Sequence, residues 1–124
     1  MLIFNHKYID SPKFIEIKNI DEINKTTPKD ILLLSQLKEP FKVAKHCRDN
    51  SLIYATKVNS IKESIFANSL NSTYIIANLE LAKVLQNIAN EYLWDTKILT
   101  PIKDDTELEK IALLSIDGVI YNLN

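Results

Sequence analysis

The sequence predicts an α/β protein: a mostly parallel sheet of about five to six strands with helices on both faces. Three observations carry this. Short β-rich apolar runs alternate with amphipathic helical patterns along the whole chain. Several runs, such as Ile31-Leu32-Leu33-Leu34 and Tyr74-Ile75-Ile76-Ala77, are apolar without interruption, as strands buried on both faces are. The segments between runs are long enough for right-handed crossovers. A length of 124 residues suits one domain, residues 1–124, whose core needs no staples.

Leu2-Ile3-Phe4 and Tyr8-Ile9 fit a small hairpin or an edge strand. Phe14-Ile15-Glu16-Ile17 reads as a strand. Asn19 with Glu22 forms a capping box for a short helix to about Lys25, which Pro28 prevents from extending. After the strand at Ile31–Leu34, Pro40 opens a helix with Phe41, Ala44 and Cys47 on one face. Leu52–Ala55 is the next strand. Ser60 and Glu63 make a second capping box, and Ile61, Ile65, Phe66 and Leu70 are the expected buried stripe of the helix that follows.

After the strand at Tyr74–Ala77, Asn78 caps the longest helix, over about residues 79 to 94. Its stripe is Leu81, Ala82, Leu85, Ile88, Ala89 and Tyr92, with Trp94 closing the core at its end. Ile98-Leu99 reads as a short strand stopped by Pro101. Asp104, Asp105 and Glu107 favour a helix N-terminus, with Leu108, Ile111 and Ala112 facing inward. Gly118-Val119-Ile120-Tyr121 is the last strand.

Two closures satisfy this order. One is an open three-layer sandwich of the Rossmann or flavodoxin type, the expectation at this length. The alternative is half of a β/α-barrel, which would have to dimerise to hide its open edges.

Composition excludes more than it selects. Gly118 is the only glycine, where about nine are usual for this length, so phosphate-binding glycine loops and nucleophile elbows are excluded. Many Ile, Asn and Lys with few Gly and Arg suit an AT-rich genome. The 15 basic and 16 acidic residues balance at net charge -1, and Arg48 is the only arginine. Such a chain offers no field or bidentate grip for nucleic acid. One cysteine, Cys47, excludes an internal disulfide or thiolate cluster and fits a small core residue. No apolar run nears the roughly 20 residues that span a bilayer, and the first residues lack a signal-peptide pattern. A cytoplasmic setting, no membrane and no cofactor are the resulting expectations.

Ligands of parallel α/β folds bind at the carboxyl ends of strands. That rule selects Lys18, Gln36, Lys57, Asn59, Asn78 and Lys103 as candidate ligand-binding residues; the opposite edge is as polar. Lys57 ends a buried strand, where desolvation can activate an amine, although its stem can carry the ammonium to water. Glu16-Ile17-Lys18 resembles the Glu-x-Lys element of a metal-dependent nuclease superfamily, which implies carboxylate-to-metal and lysine-to-phosphate roles; Asp10 would have to supply the upstream carboxylate. Asp104, Asp105, Glu107 and Glu109 need no metal, because helix capping accounts for them. Phosphoacceptor receiver domains are similar in βα alternation only: their acidic pair and aspartate are replaced by Lys18-Asn19 or Ser35-Gln36, and by Thr56-Lys57.

The functional expectation is an α/β module acting by protein contact without catalysis, as a homo-oligomer or with another protein. A small-molecule site using Lys57, Asn59 and Gln36 is second, and a nuclease using Glu16 and Lys18 is third.

Overall fold

A computed structural model describes residues 1–123. Seven strands form one sheet: β1 (Leu2–Phe4), β2 (Phe14–Ile17), β3 (Ile31–Leu34), β4 (Tyr54–Lys57), β5 (Tyr74–Ile76), β6 (Lys97–Ile102) and β7 (Gly118–Tyr121). Four α-helices connect them: α1 (Pro40–Asp49), α2 (Ile61–Ser69), α3 (Leu79–Glu91) and α4 (Leu108–Leu113). The segments Ile20–Lys25 and Asp105–Glu107 are 3-10 helices. The strand order is β1-β7-β6-β5-β4-β3-β2, and every neighbouring pair is parallel.

This is the half-barrel closure, with seven strands rather than five to six. From β2 to β7 each crossover steps to the adjacent strand in the same direction. Right-handed connections that never reverse place their helices on one face. A three-layer sandwich needs a reversal of strand order, and none occurs here. The core divides accordingly. On the helix-covered face, Ile17, Leu32, Leu34 and Tyr54 pack with Ala44 and Cys47 of α1. Ile75, Ile98 and Val119 pack there with Ala67 of α2, Ala82 and Leu85 of α3, and Ile111 of α4.

The other face carries Phe4, Ile31, Leu33, Ala55, Ile76, Leu99 and Ile120, a buried cluster that contains no helix residue. The sheet covers this face by curling. Phe4 on β1 and Phe14 on β2 belong to opposite edges of the strand order, yet their rings meet edge-to-face at 5.0 Å. Tyr74 on β5 joins them, 5.3 Å from Phe4. Leu123, after a left-handed turn at Asn122, also packs against this cluster.

Gly118 is needed for packing rather than for backbone freedom. A Cβ there would lie 2.7 Å from Leu2 Cβ and the Leu2 carbonyl oxygen, and 2.8 Å from Leu99 Cδ2. The absent side chain is what lets β1 sit against β7.

Other elements depart from expectation in four places. First, β6 runs through Pro101 to Ile102. Leu99 accepts a bond from Ala77 while Ile102 accepts one from Asn122. By alternation, the Pro101 nitrogen therefore faces the side where β5 has already ended, so no ladder bond is lost. Second, α2 turns Ser64 and Ala67 to the sheet, leaving Ile61, Ile65 and Phe66 exposed instead of buried. Third, Ala112 on α4 is exposed rather than inward-facing. Fourth, α3 stops at Glu91, leaving Tyr92 exposed, with Trp94 partly buried against the core. Within α3 the unforeseen core residue is Gln86. Its Oε1 accepts the Asp117 N–H at 2.9 Å, and Asp117 Oδ2 accepts the Ile98 N–H at 2.9 Å. That pair fixes the starts of β6 and β7.

All four helices end on a residue in the left-handed region: Ser51, Asn71, Leu93 and Ser115. After α3, the Leu93 N–H reaches the Asn90 carbonyl and the Trp94 N–H the Ala89 carbonyl at 2.9 Å, the two bonds of a Schellman motif. Glycine is the usual residue there, and L-residues with a Cβ are disfavoured by about 1–2 kcal/mol. Leu93 is 85% exposed, so its side chain offsets little of this by packing. Leu93→Gly should therefore stabilise the fold by about 1 kcal/mol, a Tm rise of about 4 °C. A differential scanning calorimetry trace with unchanged or lower Tm would contradict the capping account.

Candidate functional site

The carboxyl edge of the sheet carries three clefts that involve the expected residues. At the ends of β2 and β3, Lys18, Asp21, Lys38 and Lys42 line a cleft of about 390 Å³. At the ends of β1, β6 and β7, Asn5, His6, Lys7, Lys103, Asp104, Asp105, Tyr121 and Asn122 line one of about 260 Å³. Beside the second, Pro101, Ile102, Lys103, Glu107, Asn122 and Leu123 line a third of about 600 Å³. Lys18 thus falls in the first cleft and Lys103 in the other two.

Gln36, Lys57, Asn59 and Asn78 line none of them. Each has a local setting. Gln36 is exposed and takes a left-handed turn after β3. Lys57 is half-buried at the end of β4, in register with Ile76. The Asn59 N–H donates to Glu63 Oε1 at 2.7 Å, and Asn78 Oδ1 accepts the Leu81 N–H at 3.0 Å as the cap of α3. Glu16 and Lys18 are both exposed on the edge strand β2 or just beyond it. Among the described residues no three His, Cys, Asp or Glu side chains converge to hold a metal ion.

A hydrogen-bonded polar group at this edge was not among the expected residues. His6 Nδ1 accepts the Tyr8 N–H at 3.1 Å, which leaves the ring proton on Nε2. That Nε2–H donates to Asp105 Oδ1 at 3.1 Å, and the Tyr121 hydroxyl donates to the same oxygen at 2.6 Å. The rings of His6 and Tyr121 meet edge-to-face at 4.9 Å. Beside them Asp104 Oδ1 accepts the Thr106 N–H and hydroxyl, and Asn5 Nδ2 donates to the Tyr121 carbonyl at 3.2 Å.

These bonds set the ionisation of the group. The Tyr121 hydroxyl bond, with a smaller contribution from His6, holds the Asp105 carboxyl below its usual value. The Thr106 bonds do the same for Asp104. Burial, then the bond to Asp105, pushes the Tyr121 phenol up to about 12. Cys47, buried under α1, has its thiol pushed up to about 11 by desolvation.

His6, Asp105 and Tyr121 follow the strand-end rule, because they lie at the ends of β1, β6 and β7. The signal was hidden because the sequence does not say that β1 pairs with β7. No protein-family profile matches this chain, and no curated protein matches it in sequence. No helix among the described residues is long and apolar enough to cross a membrane.

A raised phenol value means that Tyr121 favours the folded state most strongly below the ordinary tyrosine value near 10. That contribution is lost as pH rises from there toward about 12. Tyrosinate absorbance at 295 nm should show a late phase above pH 11. Tyr121→Phe should remove one tyrosine's amplitude from that phase, and loss of amplitude from the early phase instead would contradict the assignment.

Proposed function

We propose that the protein acts by protein contact rather than by catalysis, in its simplest form by pairing with a second copy of itself through the outer face of α2, in the cytoplasm. The observation that carries this is an inverted helix. The residues of α2 buried against the core are small, Ser64 and Ala67. Its large apolar residues face water: Ile61 at 42%, Ile65 at 45% and Phe66 at 47% exposure. The patch continues onto α1, where Phe41 meets Phe66 edge-to-face at 5.3 Å. Fully burying one such side chain contributes about 1.5–3 kcal/mol, so covering several would support a stable contact. The near-neutral net charge of -1 puts little repulsion between two copies.

A free thiol kept inside the core suits a reducing compartment, which supports the cytoplasmic setting. The rings of Phe4 and Phe14 join the two edge strands, which favours the helix face over a strand edge as the partner surface.

Sedimentation velocity at about 50 µM should show a dimer, with a dissociation constant in the micromolar range. The variant carrying both Ile65→Lys and Phe66→Lys should sediment as a monomer with an unchanged circular dichroism spectrum. A wild-type monomer at that concentration, or a dimer unaffected by the two lysines, would contradict the proposal.

A further inference from the structure

We infer that the cleft between the ends of β1, β6 and β7 binds a small zwitterion: a molecule carrying one ammonium and one carboxylate, in the manner of a free amino acid. The cleft, about 260 Å³, is lined by charges of both signs, Lys7 and Lys103 against Asp104 and Asp105. Exposed opposite charges attract only weakly, and neither lysine lies within 4 Å of an aspartate: among the described residues, the contact to a carboxylate from a basic side chain in this cleft is the His6 Nε2–H bond to Asp105.

The separation is built in on the acidic side. Asp105 is held through Oδ1 by His6 and Tyr121, and Asp104 through Oδ1 by Thr106. Each keeps its second oxygen free as an acceptor. On the basic side, the Lys7 ammonium stands over the Tyr8 ring at 4.9 Å. The cleft therefore offers fixed carboxylate oxygens and separate ammonium groups that do not satisfy one another.

A zwitterion completes both sets at once: its ammonium donates to the free Asp oxygens and its carboxylate accepts from the lysines. A simple anion would face two carboxylates, and a simple amine would face two ammoniums, so each is disfavoured by like charge. The cleft itself is about 260 Å³, and it shares Lys103 and Asn122 with a larger one of about 600 Å³. The ligand is bound, and no covalent bond is made or broken. The site is remote in sequence from the α2 face, and failure of either proposal leaves the other standing.

Isothermal titration of the full chain tests this, using free L-amino acids, the matched primary amines and the matched N-acetyl amino acids. At least one free amino acid should bind saturably with a dissociation constant below about 1 mM. Its amine and N-acetyl counterparts should bind at least about tenfold more weakly. Lys103→Ala and Asp104→Asn should each weaken binding about tenfold while keeping the wild-type Tm; Lys103→Gln replaces Lys103→Ala if that variant unfolds. The inference is overturned if no free amino acid saturates below about 1 mM, if an amine or N-acetyl counterpart binds as tightly, or if the folded variants keep wild-type affinity.

Discussion

The contact between Phe4 and Phe14 closes a sheet that its helices cover on one side only. Without it, the inner face of β1 to β7 would present Ile31, Leu33, Ala55, Ile76, Leu99 and Ile120 to water. Each large apolar side chain is worth about 1.5–3 kcal/mol on burial. Their sum is comparable to the entire net stability of a typical domain, about 5–15 kcal/mol. A flat sheet of this sequence is therefore not viable, and curvature is forced by the helices lying on one face. Curling brings the two edge strands together, where Phe4, Phe14 and Tyr74 interlock. Gly118 is the companion requirement, since a side chain there would hold β1 away from β7.

The same curl shapes the carboxyl edge. With the interior filled by aliphatic and aromatic side chains, and Leu123 packed against them, the clefts at this edge lie around the rim. One follows β2 and β3, a second joins the ends of β1, β6 and β7, and a third lies beside it at the ends of β6 and β7. The second exists because β1, first in the sequence, is carried round to lie beside β7. His6 and Asp105 are 99 positions apart and share a hydrogen bond for that reason.

Most elements were legible in the sequence because local rules determine them. The Asn19, Ser60, Asn78 and Asp104 caps each accept the backbone N–H that capping chemistry requires. The apolar runs at Ile31–Leu34 and Tyr74–Ile76 became central strands. What was not legible depends on long-range geometry. α2 meets the sheet with Ser64 and Ala67 rather than Phe66, a choice its own apolar spacing does not encode. Gln86 reads as a surface residue until Asp117 is placed beside it. The choice between sandwich and half-barrel rests on the direction of each crossover, which apolar periodicity does not encode. Of the candidate site residues, Lys18 and Lys103 reached clefts, while Asn78 serves as a cap. Positive φ falls on residues other than glycine, at Asn5, Gln36, Ser51, Asn71, Leu93, Ser115 and Asn122; Asn tolerates it, and the others bear about 1–2 kcal/mol each.

The most direct test of the curled sheet is a nuclear Overhauser experiment on the aromatic rings, with phenylalanine and tyrosine selectively labelled. Ring centroids 5.0 and 5.3 Å apart predict cross-peaks from Phe4 to both Phe14 and Tyr74. Cross-peaks that join Phe14 only to its β3 neighbours, with none to Phe4, would mean that the sheet is open and its inner face is covered in some other way.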